Sequence, residues 1–288
     1  MGNINQYDIP LVTSVLHPSD FSPSSERAFA YALIVALKRQ GKLTLLHVGG
    51  KEFDDSLWSR FPSVRKTLER WKLLEKGSDP SAVFENLGVM VKKVDLGSKN
   101  ALKAIVSYLK EYKTDLIVLA TEGRHGLKHL LHPSFAESVL EKTKIMTLFV
   151  QSNVQGFVSF QDGSIALRKI LIPVAESPNP QEAIVRAVRA AKMGGSENVD
   201  MILLHVGEAD GFPQVDIPEV AHCTWKKVVK TGKVLDEILN AVKEYSVDMI
   251  VMPTQGQQGF LDALRGSVTE QVVRNSKCPV LAVPAGCN

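Results

Sequence analysis

Apolar residues along the chain fall into two kinds of run that alternate. Short continuous runs, such as residues 43–48, 116–120 and 146–150, carry almost no polar residue and read as parallel strands buried on both faces. Between them lie stretches with apolar positions three and four apart. Residues 26–38 form one, and residues 101–112 another, with Ala101, Leu102, Ile105, Val106 and Leu109 on one face. Ser22-Pro23 and Ser177-Pro178 each place an N-capping serine before a proline, which predicts a helix start in each half of the chain. Strands alternating with helices predict a doubly wound parallel sheet.

The pattern occurs twice. Thr114-Asp115-Leu116-Ile117-Val118-Leu119-Ala120-Thr121-Glu122-Gly123 lies over Val247-Asp248-Met249-Ile250-Val251-Met252-Pro253-Thr254-Gln255-Gly256 at one constant offset. At the same offset Tyr112 meets Tyr245, Gly126 meets Gly259, Ser134 meets Ser267 and Glu137 meets Glu270. Upstream, Leu45-Leu46-His47-Val48 returns as Leu203-Leu204-His205-Val206, and Val15-Leu16-His17-Pro18 as Ile170-Leu171-Ile172-Pro173. Matches in the same order mean duplication. The expected architecture is two tandem doubly wound α/β domains, residues 1–152 and 168–288, each a five-stranded parallel sheet flanked by helices. The final strands, near residues 145–151 and 280–283, are expected at the junction of an intramolecular pseudo-dimer.

Two local features depart from a plain repeat. The first half spends nearly twice as many residues between its second and third strands, including residues 63–76, which read as an amphipathic helix after Pro62 with Val64, Leu68, Trp71 and Leu74 on its apolar face. The second half has a proline-containing loop there, so a helix is expected to be shortened or missing. Residues 153–167 join the halves, and Gln161-Asp162-Gly163 between alternating apolar residues predicts an ordered hairpin.

Composition narrows the function classes. The chain has 288 residues, 44% of them hydrophobic, and a net charge of +3. That balance, with no basic run carrying interleaved aromatics, argues against nucleic acid as a partner. No apolar stretch is long enough for a membrane span, and the polar N-terminus predicts no signal peptide. The 3 cysteines, Cys223, Cys278 and Cys287, all lie in the second half and form no CxxC pair. A reducing cytoplasm is the expected location.

In an open α/β sheet, ligands bind at the carboxyl ends of the strands. Two loops in each half qualify: Pro18 to Ser22 with Thr121 to Ser134, and Pro173 to Ser177 with Thr254 to Ser267. In the second half Gly256 and Gly259 let the backbone approach a ligand, and Gly266-Ser267, opening a helix, offers N–H groups and a hydroxyl to an anion. This loop, the Asp20 that follows strand one, the paired Leu-Leu-His-Val strands and the Cys278-Pro279-Val280-Leu281-Ala282-Val283-Pro284 ending resemble the universal stress protein family. The resemblance spans essentially the whole chain, twice, and implies an adenine nucleotide alpha hydrolase-like fold. Nucleotide-binding members of that family carry Gly, two residues, Gly, nine residues, then Gly-Ser or Gly-Thr.

Neither half matches this pattern in full. The first keeps Asp20, Gly123 and Ser134, but Ala120 replaces the first glycine and Pro133, with no N–H to give a phosphate, precedes Ser134. The second keeps Gly256, Gly266 and Ser267, but has Pro253 for the first glycine and Ala175 in place of the aspartate. The resemblance therefore implies a stress-response module that binds ATP or a related adenine nucleotide, chiefly in the second half, through Gly256, Gly259, Gly266 and Ser267. Pro173 and Val206 lie at neighbouring strand ends. It implies binding rather than catalysis and leaves room for a homodimer of the tandem chain. The alternatives are an interaction protein that no longer binds nucleotide and an ATP pyrophosphatase. The latter needs a Ser-Gly-Gly-rich loop after strand one that neither half supplies, and no Walker loop, GxSxG elbow or HExxH helix occurs. His47 and His205 read as core histidines, and His125, His129 and His132, with no carboxylate or cysteine beside them, as solvated side chains; no metal is expected.

Overall fold

The computed structural model describes residues 12–49, 57–121, 142–151, 154, 156–194, 198–254 and 267–286. The first half contains β1 (Ser14–Pro18), α1 (Pro23–Arg39), β2 (Lys42–Gly49), the short helices α2 (Leu57–Arg60), α3 (Val64–Arg70) and α4 (Ala82–Leu87), β3 (Met90–Gly97), α5 (Ala101–Glu111), β4 (Leu116–Thr121) and β5 (Met146–Gln151). The second contains β6 (Lys169–Pro173), α6 (Gln181–Gly194), β7 (Val199–Val206), β8 (Cys223–Lys230), α7 (Val234–Tyr245), β9 (Met249–Thr254), α8 (Val268–Asn275) and β10 (Val280–Pro284).

All ten strands join one sheet in the order β3-β2-β1-β4-β5-β10-β9-β6-β7-β8. The described strands within each half are parallel to one another, and the halves join antiparallel through β5 and β10, where Leu148 faces Leu281 and Phe149 faces Val280. The last strands of the two halves thus meet at the centre of the sheet. They are mostly apolar because helices cover both faces: β4, β5, β9 and β10 are buried at every position. One core lies under α1 and α6, the other under α5, α7 and α8, and each runs through both halves.

Local chemistry explains the helix ends. Ser22 Oγ accepts from Ser25 N (3.2 Å), Pro23 follows at the first turn, and Gln40 closes α1 in the left-handed region. In the second half the helix starts later than Ser177-Pro178 predicts. Asn179 Oδ1 accepts from Gln181 N (2.8 Å), and Ile184 N reaches back to Pro180 O, so α6 opens only after a second proline. The helix expected over residues 63–76 ends at Arg70, because Lys72 turns the chain at φ 59°; Trp71 and Leu74 remain buried beyond the break. Between β7 and β8 the described residues hold only a 3-10 turn at Ala209–Gly211, matching the expected loss of a helix. That loop is pinned by a reciprocal pair: Gln181 Nε2 donates to Asp216 O (3.0 Å) and Asp216 N to Gln181 Oε1 (2.9 Å).

The Asp-Gly hairpin forms. Val158 bridges Ile165, Ala166 N donates to Phe157 O (2.7 Å), and Gly163 takes φ 72° at the turn. A side chain on Gly163 would also sit 2.6 Å from the Trp71 ring, so glycine is required twice over. The hairpin docks on the first half: Arg70 Nη2 and Trp71 Nε1 both donate to Phe160 O (3.1 Å each), and Phe157 packs edge-on against Tyr31.

Candidate nucleotide site

β6 lies between β7 and β9, so the order of the second half reverses beside it. A cavity of about 410 Å³ opens at this reversal, at the carboxyl ends of these strands. Pro173, Val174 and Ala175 form one wall, Leu204 and Val206 a second, and Met252, Pro253 and Thr254 a third. Val234 and Ile238 of α7 close the side, with Ser177 and Pro178 also lining it. The lining is mainly apolar, as expected of a small-molecule pocket.

Its polar end is the start of α8, where Ser267, Val268 and Thr269 reach the cavity. Ser267 and Glu270 have the spacing of a capping box: Ser267 Oγ accepts from Glu270 N (3.1 Å). Among the described residues no acceptor takes the Ser267 hydroxyl proton. The N–H groups of Val268 and Thr269, in the first turn, have no acceptor within the helix. Glu270 is buried at the same end, but its carboxylate pairs with Arg274 one turn along. This combination, an apolar chamber ending on a helix N-terminus, suits a flat ring carrying an anionic tail.

In the first half the corresponding strand end is differently furnished. Asp20 Oδ1 accepts from Ser22 N (3.0 Å) and Ser25 Oγ (2.6 Å), so the carboxylate organises the entry to α1. Burial by itself would raise the Asp20 pKa, but these hydrogen bonds outweigh it and hold the carboxyl below its ordinary value. Next to it, Phe21 stacks on His47 (4.2 Å), Phe61 meets Phe21 edge-on (5.1 Å), and the Arg60 guanidinium lies 4.8 Å over Phe21. His47 and His205 play one part in both halves. Each places Nδ1 against the carbonyl of the residue after the first strand, Ser19 O at 2.8 Å and Val174 O at 3.2 Å.

Asp20→Asn keeps an oxygen that can accept both bonds but loses their charge assistance, and is expected to cost about 1 kcal/mol at neutral pH. The depressed native pKa makes this contribution fully present above the unfolded-state value and lost as pH falls through the native one. Urea unfolding of both proteins checks it: the difference must vanish in acid.

Of the residues singled out from sequence, Pro173, Val206 and Ser267 come together around the cavity, while Asp20 belongs to the other half. Gly123, Ser134, Gly256, Gly259 and Gly266 lie outside the described residues, as do His125, His129 and His132. Among the described residues no group of three or more His, Cys, Asp or Glu could hold a metal ion, and no helix is long and apolar enough to cross a membrane. Thr254, the start of the second candidate loop, also lines the cavity, whereas sequence reasoning missed Val234, Ile238 and Met252.

The sequence profile described as the universal stress protein family matches residues 12–151 and 219–284. The chain belongs to the universal stress protein family. It is similar to Universal stress protein MJ0531 of Methanocaldococcus jannaschii, 29% identical over 145 residues that cover 43% of this chain and 85% of that one. Universal stress protein A homolog 2 of Coxiella burnetii is 27% identical over 140 residues, covering 40% and 94%. Among solved structures, a universal stress protein from Archaeoglobus fulgidus superposes with a TM-score of 0.60 at 17% identity, covering 95% of this chain and 99% of the other. That likeness shows the same fold along nearly the whole length.

Proposed function

We propose that this protein is a cytoplasmic stress-response module that binds an adenine nucleotide in its second half and performs no catalysis of its own. The observation carrying this reading is the cavity at the β6–β9 reversal, whose apolar walls fit a purine and whose far end is the α8 N-terminus. Val206, Ile238 and Met252 enclose the base in this reading. Ser267 and the first N–H groups of α8, continued by Gly256, Gly259 and Gly266, take the phosphates. Pro173 shapes the first wall. Asp20, Gly123 and Ser134 have counterpart positions in the first half, where the carboxylate is engaged in its own turn, so a single site per chain is expected.

The domain division belongs to the same proposal: residues 1–152 and 168–288 act as the two members of a built-in pseudo-dimer, joined by residues 153–167. Family membership supports binding over catalysis.

Thermal melts with ATP, ADP and AMP, followed by calorimetric titration, test the proposal. A ligand bound only by the folded state raises the melting temperature, so at least one nucleotide is expected to do so with one site per chain. Flat titrations for all three would overturn it and favour the interaction protein.

A further inference from the structure

The ten-stranded sheet ends on β3 and β8, each with one side unpaired by any other strand of the described chain. The two edges differ in charge. β8, Cys-Thr-Trp-Lys-Lys-Val-Val-Lys, carries Lys226, Lys227 and Lys230 and no acid, so it repels another copy of itself. β3, Met-Val-Lys-Lys-Val-Asp-Leu-Gly, holds Lys93 and Asp95 two residues apart, on one face of the strand.

The hydrogen bonds show which residues face outward. Met90 N donates to Gly41 O (3.1 Å) and Ser98 N to Gly49 O (2.9 Å), so even-numbered positions aim their peptide groups at β2. Val91, Lys93, Asp95 and Gly97 therefore aim theirs out of the sheet. We propose that β3 is a self-complementary docking edge, pairing antiparallel with β3 of a second copy about a two-fold axis at Val94.

In this register Lys93 and Asp95 of the second copy form a pair that exchanges both backbone hydrogen bonds, with opposite charges on one face, twice by symmetry. Sliding by one pair in either direction sets Lys93 against Lys93, or Asp95 against Asp95. Charge thus selects the register. Among the described residues neither side chain has an ion-pair partner: the Lys93 ammonium lies 5.6 Å over the Phe61 ring, and Asp95 Oδ1 is shielded from solvent with no hydrogen-bond partner. On the opposite face, Val94 meets Val94 and Leu96 meets the stem of Lys92, covering part of the open groove of about 800 Å³ between β3 and α5. The contact is isologous, so it closes as a dimer.

Sedimentation equilibrium of the full chain tests this, with circular dichroism confirming that each variant folds. The wild type is expected to dimerise. Lys93→Glu and Asp95→Lys each oppose like charges and are expected to weaken the dimer by roughly tenfold or more. An equimolar mixture of the two is expected to form a heterodimer, because each then offers what the other lacks. Lys93→Pro removes an outward N–H without touching the β2 ladder and is expected to be monomeric. A monomeric wild type, a dimer indifferent to all three substitutions, or a mixture no more associated than its components would overturn the proposal.

Discussion

Replacing His17 with isoleucine is expected to remove most of a loss of stability, on the order of 3 kcal/mol, that the wild type suffers between neutral pH and pH 4. His17, next to last in β1, has no solvent exposure. Its Nδ1 is 2.9 Å from Val118 O, an acceptor only, so the ring is held as the Nδ1–H tautomer. Nε2 is buried with no partner among the described residues. A second proton there would place a charge in a site closed to water. Burial accordingly lowers the pKa from 6.5 to about 4, with the Val118 hydrogen bond and the Asp20 charge offsetting only part of the effect. Above the ordinary value the ring is neutral in both states and contributes no pH dependence. As pH falls from 6.5 to about 4, the unfolded chain binds a proton that the native chain refuses, and stability drains away. Below that the loss levels off. The duplication supplies the replacement, since Ile172 stands at the matching place in β6. Urea unfolding at several pH values is the measurement, and the wild-type-minus-variant difference cancels the carboxylates common to both. Equal acid loss in the two proteins would refute the assignment.

The same comparison of halves explains what the sequence could and could not disclose. The strands were legible because burial on both faces leaves mostly apolar residues, as in Leu116–Thr121 and Met146–Gln151, where Thr121, Thr147 and Gln151 are the polar exceptions. In the duplicated Leu-Leu-His-Val segments the leucines and His205 are buried while His47 is only half-buried, and each histidine satisfies the equivalent carbonyl of its own half. Helix limits were harder. Ser-Pro opens α1 because Ser22 can cap Ser25, but Pro180 postpones the same event in the second half. Trp71 and Leu74 continue an apolar period past Arg70, since a left-handed residue can redirect the backbone while both side chains still reach the core. At the site, polar markers such as Ser267 were readable. Val234, Ile238 and Met252 were not, because a residue lining a chamber has the same apolar periodicity as one filling a core. Asp20 illustrates the converse: an aspartate after the first strand can serve a ligand or its own turn, and the residue type alone does not decide between them.

Val206→Trp is expected to lower nucleotide affinity by roughly two orders of magnitude while leaving the fold intact. Val206 is the last residue of β7, half-buried, and forms one wall of the cavity. An indole there has room to turn into the chamber, because the strand end is not clamped inside the core as Ile238 is. It would occupy the space assigned to the purine, so the base loses its burial while the α8 terminus stays unchanged. That separates the cavity from the phosphate end: inorganic phosphate, if bound by Ser267 and the α8 amides alone, should be little affected. Asp20→Ala serves as the counter-test, since its carboxylate is engaged with Ser22 and Ser25 in the other half. It should cost stability yet leave the nucleotide dissociation constant within about twofold, a change too small to represent a lost ligand contact. Calorimetric titration of the three proteins against the nucleotide that binds the wild type best decides the matter. If Asp20→Ala abolishes binding and Val206→Trp does not, the nucleotide sits in the first half, and the cavity beside β6 has another purpose.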